Sequence, residues 1–82
     1  MENKNLWQGN TSELKTEMND AVMEESREDF DSLVSSEEVI GLSCDTEIVG
    51  TCQRNGQIGQ KIKYTCHDSS GGSHTFYVCD IN

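Results

Sequence analysis

The sequence predicts a small α+β fold: an acidic N-terminal helical or partly disordered segment, followed by a three-stranded antiparallel β-meander. Three observations carry this. Charge is uneven, with eleven acids and three bases in residues 1–41 against four acids and three bases in residues 42–82. All four cysteines and most glycines lie in the second part. Apolar residues recur at helical spacing in the first part and alternate in the second. The composition shift at Gly41-Leu42 divides the chain into an acidic segment, 1–41, and a Cys/Ser/Thr-rich module, 42–82.

The helical half starts at a capping signal. Asn10 can accept from the first turn, and Glu13 three residues later can reach back to it. Leu14, Met18, Ala21 and Val22 then fall on one stripe, with acids opposite. Such a helix is marginal alone in water, so it either packs on the C-terminal half or folds on a partner. Phe30, Leu33 and Val34 form a second apolar cluster. Ser35-Ser36-Glu37-Glu38 repeats the capping pattern ahead of Val39 and Ile40, and Gly41 suits a helix stop.

In the second half Glu47–Gln53 suits a strand. Asn55-Gly56 follows, the strongest short hairpin signal. Ile58, Ile62, Tyr64 and Cys66 share one parity, with Lys61, Lys63 and Thr65 on the other, as in a half-buried strand. Ser69–Ser73 reads as a loop, and His74–Cys79 as a third strand with Phe76 and Val78 on one face. Pairing Asp68 with His74 would set Cys66 opposite Phe76 and Tyr64 opposite Val78. Three strands are near the minimum for independent stability.

Length and charge exclude several function classes. At 82 residues the chain has no room for a Rossmann domain, a barrel or a P-loop enzyme. A formal net charge of -9 opposes binding to a phosphate backbone, so no nucleic-acid partner is expected. The opening Met1–Trp7 is polar, unlike a signal peptide. No cleft-forming architecture surrounds a Cys–His pair, so no catalytic residue is assigned, and no cofactor is called for.

Cys44, Cys52, Cys66 and Cys79 are therefore the informative positions, because a small polar domain generally needs a staple. They contain no C-x-x-C knuckle. Cys66 and His67, adjacent on a strand, point to opposite faces, so no metal site is assigned. Two disulfides are the alternative if the chain is exported, with three connectivities open.

Thioether chemistry gives another use for the thiols. Ser and Thr can be dehydrated, and a cysteine thiolate can add to the product without an oxidant. Ser43, Thr46, Thr51, Thr65, Ser69, Ser70, Ser73 and Thr75 are interleaved with the cysteines, and Thr75–Cys79 has the spacing of a small ring. On these residues the chain resembles a lanthipeptide (lantibiotic) precursor. In that family an acidic leader guides the modifying enzyme and is cleaved at a Gly-containing site. Leu33, Val34, Val39, Ile40 and Gly41 resemble such a leader ending. The resemblance implies a ribosomally made, thioether-bridged antimicrobial peptide, produced in the cytoplasm and secreted after cleavage. It further implies a modifying synthetase and a peptidase-transporter as partners, and a membrane or cell-wall lipid as target. A strand over Thr75–Cys79 would hold its ends about 13 Å apart, so strand and ring exclude one another. The other expectation is a small acidic binding or inhibitor protein, a cytoplasmic helix-on-sheet module that engages a basic protein surface.

Overall fold

The structure, a computed structural model, describes residues 4–35, 41–68 and 71–81. In chain order it contains β1 (Lys4–Gly9), α1 (Thr11–Met18), a 3-10 turn at Glu24–Ser26, α2 (Arg27–Ser35), β2 (Leu42–Arg54), β3 (Gln57–His67) and β4 (Ser73–Asp80). The strands form a single antiparallel sheet in the order β1-β2-β3-β4. The small α+β class holds, with one correction: the described sheet has four strands, not three.

The added strand is β1, which pairs with β2 from Lys4↔Glu47 to Gly9↔Leu42. Its six residues carry no alternation long enough to announce a strand. The partner makes it one. β2 begins at Leu42, earlier than the apolar run at Glu47, and its first half would otherwise be a bare sheet edge. Trp7 lies opposite Cys44 and packs against the core, and its Nε1 donates to Glu17 Oε1 at 3.3 Å.

The Asn10 capping box forms as the spacing predicts. Glu13 N–H donates to Asn10 Oδ1 at 2.8 Å, and Asn10 N–H donates to Glu13 Oε1 at 3.1 Å. Leu14 and Met18 belong to α1, but Ala21 and Val22 lie past its end. Both donate their N–H to Met18 O, at 2.8 and 3.0 Å, turning the chain out of the helix. The segment then runs beside β4. Val22 bridges Val78, Cys79 N–H donates to Ala21 O at 2.8 Å, and Met23 N–H donates to Tyr77 O at 2.9 Å. Tyr77 N–H donates to Ser26 Oγ at 3.0 Å. Residues 21–26 thus satisfy backbone groups that an edge strand would leave open. The apolar pair Ala21-Val22 serves the sheet, not the helix.

The second cap pattern runs into residues 36–40, outside the described residues. α2 delivers Phe30 and Leu33 to the sheet, 0% and 2% exposed. Phe30 meets Phe76 edge-on, with ring centroids 5.0 Å apart, and Tyr64 stacks on the other side of Phe76, also at 5.0 Å. Leu14, Leu42, Cys44, Cys66 and Val78 complete a core shared by both halves of the chain.

Asn55-Gly56 turns the β2–β3 hairpin between the paired residues Arg54 and Gln57. Both have positive φ, 53° and 79°, which matches the right-handed twist of the flanking strands. The β3–β4 register differs from the expected one by two residues: Cys66 opposes His74, Tyr64 opposes Phe76 and Ile62 opposes Val78. Asp68 causes the shift by closing the loop. Its Oδ1 accepts from Gly72 N–H at 2.8 Å, and its backbone N–H donates to Gly72 O at 3.1 Å. A slip of two preserves parity, so the buried face is the predicted one.

Val49 is an extra residue in β2, where the register shifts between Ile48 and Gly50. Before it, even-numbered residues of β2 share the helix-covered face with Tyr64 and Cys66. After it, Gly50 and Cys52 align with Lys61 and Gly59, on the side of Cys79. The bulge brings Cys52 to Cys79.

Candidate functional site

One opening in the fold lies where the helical layer ends above the sheet. α1 stops at Met18 and the chain steps down to the β4 edge, leaving Ile62 half-buried beside the buried Tyr64 and Val78. The result is a half-open cavity of about 440 Å³. Met18 and Ala21 form one wall and the three sheet residues form the floor. Glu17, Asp20 and Asp80 stand around it, with Arg54 at the hairpin end.

Each polar group is placed by an identifiable element. Arg54 is the last residue of β2, and its Nη1 donates to Asp20 O at 2.9 Å, tying the hairpin tip to the turn after α1. Its Nε is buried and has no hydrogen-bond acceptor among the described residues. Asp80 ends β4, whose last residues curl toward β3 at Gly59. A Cβ at Gly59 would collide with the Asp80 carbonyl and the Ile81 side chain, so this close approach requires glycine. The Tyr64 hydroxyl donates to Met18 Sδ at 3.5 Å. Burial pushes its phenol up to about 12, and the carboxylates of Asp80 and Glu17 add to the shift. The floor of the cavity is apolar and its rim is charged, with three carboxylates against one guanidinium, a balance that favours a cation.

The cysteines pair as Cys44–Cys66 and Cys52–Cys79. Cys44 and Cys66 are directly opposed on β2 and β3, with Cα atoms 3.9 Å apart, and both are fully buried. Cys52 and Cys79 sit on strands that flank β3, with Cα atoms 5.9 Å apart. His67 and His74 face carboxylates instead of thiolates: His67 Nε2 is 3.9 Å from Asp45, and His74 Nε2 is 3.8 Å from Asp68.

The hydroxyl residues of the thioether expectation are dispersed. Thr46 is buried beside Tyr64, while Thr51 is exposed on the hairpin opposite Gln60. Thr65 lies between Asp45 and Thr75 in the sheet, and Ser73 opposes His67. Thr75 and Cys79 both lie within the extended β4. Ser70 falls outside the described residues. Of the leader-like positions, Leu33 is in the core, Val34 packs against it, and Gly41 is exposed just before β2. Val39 and Ile40 lie outside the described residues.

The cavity residues were not among those singled out for chemistry. Met18 and Tyr64 are legible only as apolar positions. Glu17, Asp20, Arg54 and Asp80 are scattered charges in the sequence. The nearest signal is Asn55-Gly56, which places Arg54 at a hairpin tip, but nothing local says where that tip reaches. In comparisons with known proteins, the chain matches no protein-family model, no curated protein and no solved structure.

Proposed function

We propose that this chain is a small acidic binding protein, of the inhibitor type, whose helical layer docks on a basic surface of a partner protein. The observation that carries the reading is the charge layout of that layer. Between residues 13 and 31 eight carboxylates, all exposed, accompany two bases, Lys15 and Arg27. Arg27 is already engaged: its guanidinium donates to Asn19 Oδ1 at 2.9 Å and Asn19 O at 2.7 Å, and lies 3.5 Å from Asp31. The surface is thus acidic and rigidly backed by the sheet. Such a surface steers a basic partner and repels nucleic acid. A scaffold stapled by two disulfides also loses little conformational freedom on binding. The disulfides favour an oxidising compartment.

The precursor reading remains the rival, supported by the interleaving of Cys with Ser and Thr. It requires thiols available to a modifying enzyme and a ring at Thr75–Cys79, whereas β4 is extended there. Intact mass of protein from its native source separates the two. The binding reading expects the unmodified chain less the hydrogens of two disulfides; a deficit of one water per bridge decides for the precursor. The docking itself is tested by affinity capture with wild type and with Glu24→Gln/Glu28→Gln/Asp29→Asn, each at low and high salt. The expected result is a basic protein, retained by wild type at low salt and lost with the variant or at high salt. Capture indifferent to both would overturn the reading.

A further inference from the structure

We infer that the cavity between Met18 and the β3–β4 floor is a socket for one arginine or lysine side chain of a partner polypeptide, whose main-chain carbonyl is held by Arg54. The inference rests on the docking reading above and specifies its anchor. Four features of the site select this ligand. The volume, about 440 Å³, lies in the range of small-ligand sites, roughly 300–1,000 Å³. Its floor of Ile62, Tyr64 and Val78 suits an aliphatic stem, because a long basic side chain buries its methylenes and carries its charge beyond them. Glu17, Asp20 and Asp80 then receive the charged end, and together they outnumber the single guanidinium of Arg54.

The fourth feature is the Arg54 Nε. It is a buried donor with no acceptor among the described residues, although the same guanidinium is anchored at Asp20 O. Nε is closed to solvent, so an incoming oxygen reaches it only after the Arg54 side chain shifts, and the cost of an unpaired buried donor favours that shift. A simple organic amine brings a cation but no acceptor. An anion brings the acceptor but meets three carboxylates and a neutral phenol. A basic residue within a peptide brings both, its charge at the end of the stem and its carbonyl at the base. The raised Tyr64 phenol is consistent with this polarity and stays neutral up to about pH 12.

The test is NMR titration of the isotopically labelled full chain with blocked peptides. The probes are acetyl-Ala-Arg-Ala-amide, its citrulline analogue, its glutamate analogue, and butylguanidinium as a stem-plus-cation fragment. The arginine peptide should shift Met18, Ile62 and Val78 methyl signals. The citrulline peptide, equal in shape but uncharged, should bind about tenfold more weakly or less. Glu17→Gln/Asp80→Asn should bring the arginine peptide down to the citrulline level. Arg54→Lys, checked for a native spectrum, should weaken the arginine peptide but not butylguanidinium; equal loss of both would remove the carbonyl contact from the proposal. Equal binding of arginine and citrulline peptides, tighter binding of the glutamate peptide, or shifts confined to other faces would sink the socket. Arginine-peptide binding in the cavity without capture of a basic partner would sink the docking reading and leave the socket standing. Capture that survives Glu17→Gln/Asp80→Asn at full strength would do the reverse.

Discussion

The two disulfides lie on opposite faces of the same sheet and do different work. Cys44–Cys66 joins strands that the backbone ladder already holds together, beneath the helices, with both residues fully buried. Cys52–Cys79 joins β2 to β4, which are not neighbours in the sheet, and Cys52 is only half-buried. The first is a piece of the core. The second fixes a curl: Arg54 follows Cys52 by two residues and Asp80 follows Cys79 directly, so the bond holds two charged groups of the cavity in place. One bridge therefore serves stability and the other serves the site, although both close loops of similar length.

The largest expected effects come from breaking the bridges. The closed segments, with sequence separations of 22 and 27, give loop-entropy contributions of about 3.5 kcal/mol each, differing by only about 0.2 kcal/mol. Burial must then decide between them. Cys44→Ala/Cys66→Ala should be the more destabilising in urea denaturation, because it also empties space in the core. Cys52→Ala/Cys79→Ala should cost less stability yet lose more of the arginine-peptide affinity. The opposite ranking in either measurement would dissolve the distinction.

Deleting Val49 examines the same contrast from the backbone. The residue is 45% exposed, so its side chain contributes little to packing. Removing it leaves Ile48 opposite Ile62 and Gly50 opposite Lys61, so the ladder becomes regular and Cys52 keeps the face of Cys79. The expected product keeps both disulfides, shows no titratable thiol under native conditions, and loses far less stability than the loop term of one disulfide. Two free thiols in the deletion variant would show that the local geometry of the bulge, and not the register beyond it, brings the pair together.

An effect smaller than that of the bridges is expected from the cavity at high pH. The Tyr64 phenol is raised from 10.0 to about 12 in the folded chain by burial, with Asp80 and Glu17 adding to it. The unfolded chain gives up its proton first. Stability is therefore unaffected by this group below pH 10 and falls between about pH 10 and 12, by about 2–3 kcal/mol. Tyr64→Phe should flatten that part of the stability–pH curve, measured by urea midpoints, and Asp80→Asn should move its upper limit down. An unchanged slope in Tyr64→Phe would assign the alkaline loss to other groups.

Much of the fold follows from local chemistry. The Asn10–Glu13 box, the Asn55-Gly56 turn and the alternation of Ile62, Tyr64 and Cys66 are short-range signals, and each appears where its residues place it. Parity alone put Tyr64, Phe76 and Val78 on one buried face, even with the register two residues off. Tertiary structure decided the rest. Lys4–Gly9 is a strand because β2 is long enough to need a partner, and Ala21-Val22 leaves helical spacing because β4 offers an open edge. The disulfide pairing depends on Val49 bulging out of the ladder, since keeping it in would turn every later side chain of β2 to the other face. The cavity depends on all of these at once. Its charges come from the end of a helix, the tip of a hairpin and the last residue of a strand, groups that meet only after the sheet has curled. A sequence encodes nearest-neighbour preferences strongly because few residues must agree. It encodes such a convergence only through the whole fold.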